Sequence, residues 1–264
     1  MQLSGITIYP VKSCAGIDLD CVTLDRFGPI GDRRWLVVDE RGRFLSQRDQ
    51  PRMALVRVEQ VQGGIRLSLG DNSIQAAIPG TDASEVRVSV WGDSMFALLA
   101  ESSAGEWLSA ELGRPCRLVY MPDTCRRLVD GLYAREGETV SFADGFPLLL
   151  ISQASLDDLN SRLDSPVPMN RFRPNLVVSG CDSFAEDGWR RIGIGDVEFD
   201  VAKPCSRCVI PSIDQATAQR DEQINRVLAS YRRFNGQVMF GQNLLYQRAG
   251  KLSVGDPVQL LDQH

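Results

Sequence analysis

The segment Asp196-Val-Glu-Phe-Asp-Val-Ala-Lys-Pro-Cys-Ser-Arg-Cys-Val-Ile210 joins a predicted strand to a pair of cysteines with CxxC spacing. The strand covers residues 196–201, and Cys205 and Cys208 stand where it passes into a loop. Short runs of this kind, rich in Val, Ile and Leu and bounded by turn residues, recur along the whole chain. They predict a mainly β fold with some helices.

In the first half the predicted elements are mostly strands. The pairs Arg41-Gly42 and Gly63-Gly64 stand where hairpins would reverse the chain. One short helix is predicted over residues 106–112. The predicted strands cover residues 6–9, 21–24, 35–39, 55–61, 65–69 and 116–120.

The second half mixes strands with helices. Ser155-Leu-Asp-Asp158 resembles an N-terminal cap, and the helix after it would carry Leu156, Leu159 and Leu163 on one face. A second helix is predicted over residues 222–233, where apolar side chains follow i, i+3, i+4, i+7 spacing. Further strands are predicted at residues 146–151, 176–179, 243–247 and 257–261.

Residues 121–144 mix charge, Gly and Pro without periodicity, so they are interpreted as a long connection and a domain boundary. Domains are accordingly predicted over residues 1–120 and 121–264, with strands that can be exchanged across the boundary. A predominantly β chain with few helices favours barrels over a doubly wound sheet.

Composition narrows the class of protein. The chain of 264 residues has 34 acidic and 29 basic residues and a net charge of −5, and it contains no long basic block, so a nucleic-acid partner is not expected. Seven cysteines, an odd number, indicate reduced thiols and a cytoplasmic location. The N-terminus lacks the pattern of a secretory signal. The most apolar stretch, residues 146–151, is too short to span a membrane.

The only histidine is His264, the last residue, where chains usually fray. This excludes Ser-His-Asp and Cys-His catalysis and histidine-ligated zinc or iron. Any metal must therefore be held by cysteine, by oxygen ligands, or by a cofactor that supplies its own donor atoms.

Four interpretations of the CxxC segment remain open on spacing alone. A zinc site would need a second pair of ligands at matching spacing, and a thioredoxin-like pair would need a helix where Val209-Ile210-Pro211 follows. Two buried thiols with a structural role fit the spacing as well as a metal ligand does.

Basic residues stand at predicted strand ends elsewhere. Lys12 ends the first strand, Arg33 lies in a turn, and Pro174 holds Arg173 in extended geometry before another strand. Each can be an ordinary solvated loop charge. If the fold brings these residues together at one end of the strands, their guanidinium groups would instead bind phosphate through paired hydrogen bonds.

Five segments together resemble one family. Tyr9-Pro-Val-Lys-Ser-Cys14 and Gly31-Asp-Arg-Arg-Trp-Leu-Val37 resemble the N-terminal β-barrel of MOSC proteins. Asn170-Arg-Phe-Arg-Pro-Asn-Leu-Val-Val178, Lys203-Pro-Cys-Ser-Arg-Cys208 and Phe240-Gly-Gln-Asn243 resemble the MOSC domain. The order matches over nearly the whole chain, most closely that of the mitochondrial amidoxime reducing component and the bacterial YcbX-type reductases.

The resemblance implies a β-barrel MOSC core (121–264), an N-terminal MOSC-associated β-barrel (1–120) and a molybdenum–molybdopterin cofactor. Cys208 matches the family's metal ligand. Two positions depart from the mitochondrial proteins: a Thr-Ser pair falls at Gly145-Phe146, and a Tyr is replaced by Asn243. The residues that match cofactor contacts are Lys12, Ser13, Arg33, Arg173, Asn175, Ser206, Arg207 and Asn243.

Physical chemistry agrees with these assignments. A soft thiolate suits a metal that already carries dithiolene sulfurs, and the basic residues would offset the negative charge of the cofactor. The expected activity is reduction of hydroxylaminopurines, amidoximes or hydroxylamines at the Cys208-ligated molybdenum, with electrons from a separate ferredoxin or flavoprotein.

The sequence leaves open the role of Asp214 and two alternative functions of the protein. Asp214, six residues past the ligand, is a hypothetical proton donor or an ordinary turn residue. The alternative functions are a cofactor carrier or storage protein, and a persulfide carrier that transfers sulfur to the cofactor.

Overall fold

The computed structural model describes residues 1–263, so His264 lies outside the described residues. The predicted mainly β architecture is confirmed. The strands of the first half are β1 (Gln2–Ile8), β2 (Ile17–Leu19), β3 (Cys21–Asp25), β4 (Gly28–Pro29), β5 (Trp35–Val38), β6 (Arg57–Val61), β7 (Gly64–Leu69), β8 (Asn72–Ala77), β9 (Glu85–Val90), β10 (Asp93–Leu99) and β11 (Arg117–Tyr120). Those of the second half are β12 (Leu148–Ser152), β13 (Leu176–Ser179), β14 (Trp189–Ile194), β15 (Val197–Ser206), β16 (Arg233–Phe234), β17 (Gln237–Tyr246), β18 (Lys251–Ser253) and β19 (Val258–Gln263).

Within the described residues, the strands form one large sheet and three small ones. The large sheet has the order β19-β14-β15-β17-β12-β13-β1-β2, with β16 added to β17. Its strands pair antiparallel except β12 and β13, which are parallel. The small sheets are β5-β11-β10-β9, β18-β3-β4 and β6-β7-β8.

Strand β1 belongs to the sheet of the second half. Leu3, Ile6 and Ile8 are buried, and they pack in one core with Leu176 and Phe199. The antiparallel pairing of β1 with β13 places this apolar face inward because side chains alternate along a strand. The first strand of the chain thus completes a sheet built mainly from residues beyond 147. The division at residue 120 stays a prediction.

In residues 1–263, three α-helices and four short 3₁₀ segments connect the strands. The predicted cap at Ser155 is wrong, because the helix begins two residues earlier and Ser152 is its cap. The Ser152 hydroxyl accepts from the amide of Ser155 (3.1 Å), so Ser155 lies in the first turn. The α-helices are α1 (Ser102–Leu112), α2 (Gln153–Asn160) and α3 (Gln223–Tyr231); the 3₁₀ segments are Pro51–Leu55, Met169–Arg171, Ala185–Gly188 and Ile210–Ser212.

Several predicted bounds change. Strand β15 extends to Ser206, so Cys205 lies within the strand and Cys208 in the loop after it. Strand β17 begins at Gln237, six residues before the predicted start. Eight strands in residues 1–263 were not predicted: β2, β4, β8, β9, β10, β14, β16 and β18.

The connection over residues 121–144 has no helix or strand, as predicted, and is fixed by a buried arginine. The Arg127 guanidinium donates to the carbonyl oxygens of Ser141 (2.7 Å) and Ala143 (2.5 Å) and to the carboxylate of Asp93 (2.8 Å). Asp93 begins β10. The connection is therefore bonded to the β9–β10 hairpin of the first half.

None of the helices in the described part of the chain has the length and hydrophobicity needed to cross a membrane.

Replacing Ile6 with alanine tests how strongly β1 supports the large sheet. Ile6 is 2% exposed. We expect Ile6→Ala to lower the free energy of unfolding by about 2–5 kcal/mol. The truncated side chain leaves a cavity in the core, and the surrounding residues of the second half relax only partly to fill it. Denaturant unfolding followed by circular dichroism measures this change. Ile78→Ala, at an exposed isoleucine, is the matched control and should stay within about 0.5 kcal/mol. Equal stability of the two variants would contradict the role of β1.

Candidate functional site

A cavity of about 610 Å³ lies where segments of the first half meet the large sheet. Both cysteines of the CxxC segment line it. Nine of the ten predicted site residues line it too: Lys12, Ser13, Arg33, Arg173, Asn175, Ser206, Arg207, Cys208 and Asn243. The fold therefore brings together residues that are separated by up to about 230 positions in the sequence.

Most of these residues lie just beyond strand ends. Lys12 and Ser13 follow β1, Arg33 precedes β5, and Arg173 precedes β13. Ser13, Arg33 and Arg173 have positive φ angles of 70°, 48° and 56°, so the extended geometry predicted for Arg173 is wrong. Of the seven non-glycine residues with positive φ in residues 1–263, four line the cavity, the fourth being Trp91. Because such backbone is unfavourable by about 1–3 kcal/mol per residue, its concentration here is typical of a functional site.

Arg33 and Arg173 enclose the buried ring of Tyr9. Their guanidinium carbons lie 4.6 Å and 4.1 Å from the ring centroid. Arg33 also donates to the carboxylate of Asp32 (2.6 Å) and to the side-chain oxygen of Asn175 (2.9 Å). Burial alone would lower the pKa of Arg33, but the ion pair with Asp32 outweighs it and raises that pKa. Arg33 is thus a fully charged donor.

Arg173 is less well compensated. Its Nη1 donates to the side-chain oxygen of Gln215 (3.3 Å), while its Nη2 is buried and has no hydrogen-bond partner among residues 1–263. Burial, together with the neighbouring charge of Arg33, lowers the pKa of Arg173 to about 10. The group is charged at neutral pH and has an unused donor.

Lys12 is buried beside the connection. Its Nζ donates to the carbonyl of Phe142 (2.7 Å) and to the carboxylate of Asp144 (2.5 Å). Burial lowers the pKa of Lys12 to about 8, although Asp144 opposes the shift. Enclosure would raise the pKa of Asp144, but the ion pair with Lys12 lowers it below its ordinary range.

The two cysteine sulfurs have different partners. Cys208 Sγ accepts hydrogen bonds from Arg48 Nη2 (3.2 Å) and from the amide of Ile210 (3.5 Å). Cys205 Sγ accepts from Arg207 Nη1 (3.2 Å). All seven cysteines are free thiols. Each thiol of the CxxC pair therefore accepts a hydrogen bond from an arginine.

Three mutually contacting residues of the cavity lining were not predicted as site residues. Arg48, Trp91 and Asp144 line the cavity and contact one another. Arg48 and Asp144 lie in loops without periodicity, and Trp91 lies in a hairpin turn, so only the fold identifies them. Gly145 and Phe146, where the family pattern departs, also line the cavity.

Asp214 does not line the cavity, and its predicted role as a proton donor is corrected. One carboxylate oxygen accepts from the amides of Ala216 (2.9 Å) and Thr217 (2.8 Å), and the other accepts from Arg171 (2.9 Å). Burial would raise the pKa of Asp214, but these hydrogen bonds lower it. Asp214 is a deprotonated turn residue that fixes the loop after Cys208.

Replacing Asp214 with asparagine should lower stability in a pH-dependent way. The pKa of Asp214 is lower in the folded protein than in the unfolded chain. The ionised carboxylate therefore stabilises the folded protein above about pH 4. This stabilisation is lost as the pH falls through the folded pKa. We expect Asp214→Asn to lower the free energy of unfolding at pH 7 by about 1–3 kcal/mol, since Arg171 loses a charged acceptor. Urea unfolding between pH 7 and pH 3 measures the difference, which should shrink at the acidic end. A difference that grows toward pH 3 would contradict this account.

Sequence comparisons agree with the geometry. Residues 1–115 match the MOSC N-terminal beta barrel domain, and residues 137–259 match the MOSC domain. The mitochondrial amidoxime-reducing component 1 of Mus musculus is 34% identical over 99% of this chain and 82% of its own length. The human protein of the same name is 34% identical over 99% of this chain and 83% of its own length. The molybdenum cofactor sulfurase of Oryza sativa subsp. japonica is 33% identical over 94% of this chain but only 33% of its own length.

Proposed function

The chain belongs to the family of MOSC-domain proteins that carry a MOSC N-terminal β-barrel, and from that premise we propose that it is a molybdenum-cofactor-dependent reductase of N-hydroxylated compounds. The observation that carries the proposal is the placement of Cys208 in a cavity rich in positive charge. The mouse and human relatives are named for amidoxime reduction, so we include amidoximes among the proposed substrates.

The charge of the cavity fits an anionic cofactor. Its lining includes six cationic side chains, Lys12, Arg33, Arg48, Arg173, Lys203 and Arg207, against one carboxylate, Asp144. Two buried donors of this lining, Arg173 Nη2 and Arg207 Nε, have no acceptor in the part of the chain that the structure describes. Buried donors without partners are unfavourable, so an anion with several oxygen atoms would satisfy them. The residues present therefore fit the phosphate and pterin of molybdopterin.

The metal would have a single protein ligand. In residues 1–263 no group of three His, Cys, Asp or Glu side chains could hold a metal ion. A cofactor that brings its own sulfur donors needs only one soft ligand from the protein, and Cys208 supplies it. When bound, the cofactor would supply the two-electron chemistry that removes oxygen from the N–O bond.

The remaining roles follow from the contacts of each side chain. Lys12, Ser13, Arg33, Arg173 and Asn175 would bind the cofactor from one set of loops. Ser206, Arg207 and Asn243 would bind it from strands β15 and β17 and the loop that follows β15. Gly145 and Phe146 would offer backbone groups in place of side chains. We propose a separate ferredoxin or flavoprotein as the electron donor.

A second candidate function is that of a cofactor or sulfur carrier without reductase turnover. The similarity to a molybdenum cofactor sulfurase favours it, because that relative matches this chain over nearly its full length. The same cavity would serve both functions, and turnover separates them.

We also propose that the protein works in a reducing compartment. The compartment predicted from the sequence is the cytoplasm. The odd number of cysteines, seven, supports a reducing compartment, since a disulfide framework pairs cysteines in even numbers.

Metal analysis of matched cysteine variants tests the proposed ligand. In a host that makes the cofactor, we expect wild-type protein to carry molybdenum nearly stoichiometrically and Cys208→Ser to lose the metal or its activity. Cys205→Ser, the matched control in the same cavity, should keep most of both. Equal loss in the two variants would instead indicate a dithiol site.

Reduction of an amidoxime with a chemical electron donor tests the reaction. Formation of the amidine by the wild-type protein, and its absence in Cys208→Ser, is the expected result. Molybdenum binding without turnover would support the carrier function.

A further inference from the structure

Trp91 presents an exposed aromatic ring to the cavity. In residues 1–263, three aromatic side chains line the cavity: Trp91, Phe146 and Phe172. Phe172 is fully buried, and Phe146 is only partly exposed and packs against the ring of Tyr133. Trp91 is 52% exposed. It is therefore the aromatic surface that the cavity offers to a ligand.

The ring is fixed although it is exposed. The indole N–H donates to the carboxylate of Asp144 (3.2 Å), and the Arg48 guanidinium lies 4.5 Å from the ring centroid. The ring of Phe44 meets it edge-on at 5.1 Å. An exposed side chain with three specific contacts loses little further freedom when it binds a ligand.

The backbone of Trp91 is unusual for its position. Trp91 and Gly92 form the two-residue turn between Val90 and Asp93, which pair across the hairpin. Trp91 has a φ of 54°, a region that hairpin turns usually fill with glycine, while Gly92 follows one residue later. Because half of the ring remains outside the core, core packing does not account for a bulky residue in this conformation.

Arg48 connects this ring to the proposed metal ligand. The same guanidinium that lies over Trp91 donates to Cys208 Sγ at 3.2 Å. The tryptophan is thus separated from the thiol by a single side chain. A substrate that reaches Cys208 beside Arg48 passes next to the ring.

We propose that Trp91 is a specificity-determining residue that stacks on the planar aromatic part of the substrate, with Arg48 as a positioning residue. This inference rests on the proposed reductase function. Aromatic faces stack on one another without requiring a particular hydrogen-bond pattern, so the ring selects flat substrates as a class. A substrate with the same N–O group and no ring gains nothing from Trp91.

Two amidoximes that differ only in the ring test the inference. Benzamidoxime carries a phenyl group where acetamidoxime has a methyl group, and the reacting group is the same. In the loaded enzyme, Trp91→Gly removes the ring and keeps a residue that favours positive φ. For benzamidoxime, we expect kcat/KM to fall about tenfold, mainly because KM rises. For acetamidoxime, we expect little change in kcat/KM. Trp91→Phe should restore most of the preference.

Phe96→Ala is the matched control, because Phe96 is an equally exposed aromatic residue on the same hairpin and does not line the cavity. It should leave both amidoximes unaffected. Calorimetric binding of the two amidoximes to each variant gives a second measurement that does not depend on turnover, and thermal unfolding shows that each variant is folded.

The outcomes separate this inference from the proposed function. A Trp91→Gly variant that is folded and keeps the wild-type preference for benzamidoxime in binding and turnover would overturn the role of Trp91. If the wild-type protein reduces neither amidoxime but binds benzamidoxime through Trp91, the reductase proposal fails and the stacking surface remains.

Discussion

The antiparallel pairing of β1 with β13 joins the start of the chain to the sheet that carries the cysteines. Asn175 fixes this junction, since its side chain donates to the carbonyl of Thr7 (3.1 Å) and accepts from Arg33 (2.9 Å). The backbone of Asn175 also accepts from the amide of Thr7 (2.9 Å). Lys12, a few residues beyond β1, can reach the cavity only because this pairing holds the strand in register. The site therefore depends on a tertiary contact between residues far apart in sequence.

The junction in turn has to accommodate buried positive charge. Charged groups removed from water need compensation by opposite charge and hydrogen bonds. Asp32 supplies it for Arg33, and the face of the Tyr9 ring supplies part of it for both Arg33 and Arg173. Arg173 keeps an unpartnered donor, so the compensation is incomplete without a ligand. Such an arrangement suits an anionic ligand, and the same charges would favour the proposed cofactor.

The sequence alone predicted the β class, the long connection and nine of the residues that line the cavity. Alternating apolar residues and turn pairs carry information about strands, and motif order carries information about the family. Strand β9, with Val86, Val88 and Val90 alternating with polar residues, had a signal that could have been found. Strand β14 did not, because Gly193 interrupts a run that opens with two consecutive arginines after Trp189.

The errors in predicting the residues of the site share a physical cause. Arg48 and Trp91 act through contacts between loops, and no spacing in the sequence encodes which loops meet. Asp214 was misplaced because proximity to Cys208 in sequence does not determine where a side chain points. Its carboxylate satisfies the amides of its own turn and the guanidinium of Arg171, which leaves no free oxygen for the cavity.

Asp144 unites the two parts of the site. It accepts from Lys12, which belongs to the proposed cofactor contacts, and from the indole of Trp91, which belongs to the proposed substrate surface. It also lies 3.8 Å from Arg48. A single carboxylate among six cations stays ionised, so it can hold three partners at fixed positions through charge-assisted hydrogen bonds and charge attraction. Since Asp144 lies on the connection that Arg127 bonds to the β9–β10 hairpin, this connection and the first half of the chain form one wall of the cavity, and the large sheet forms the other.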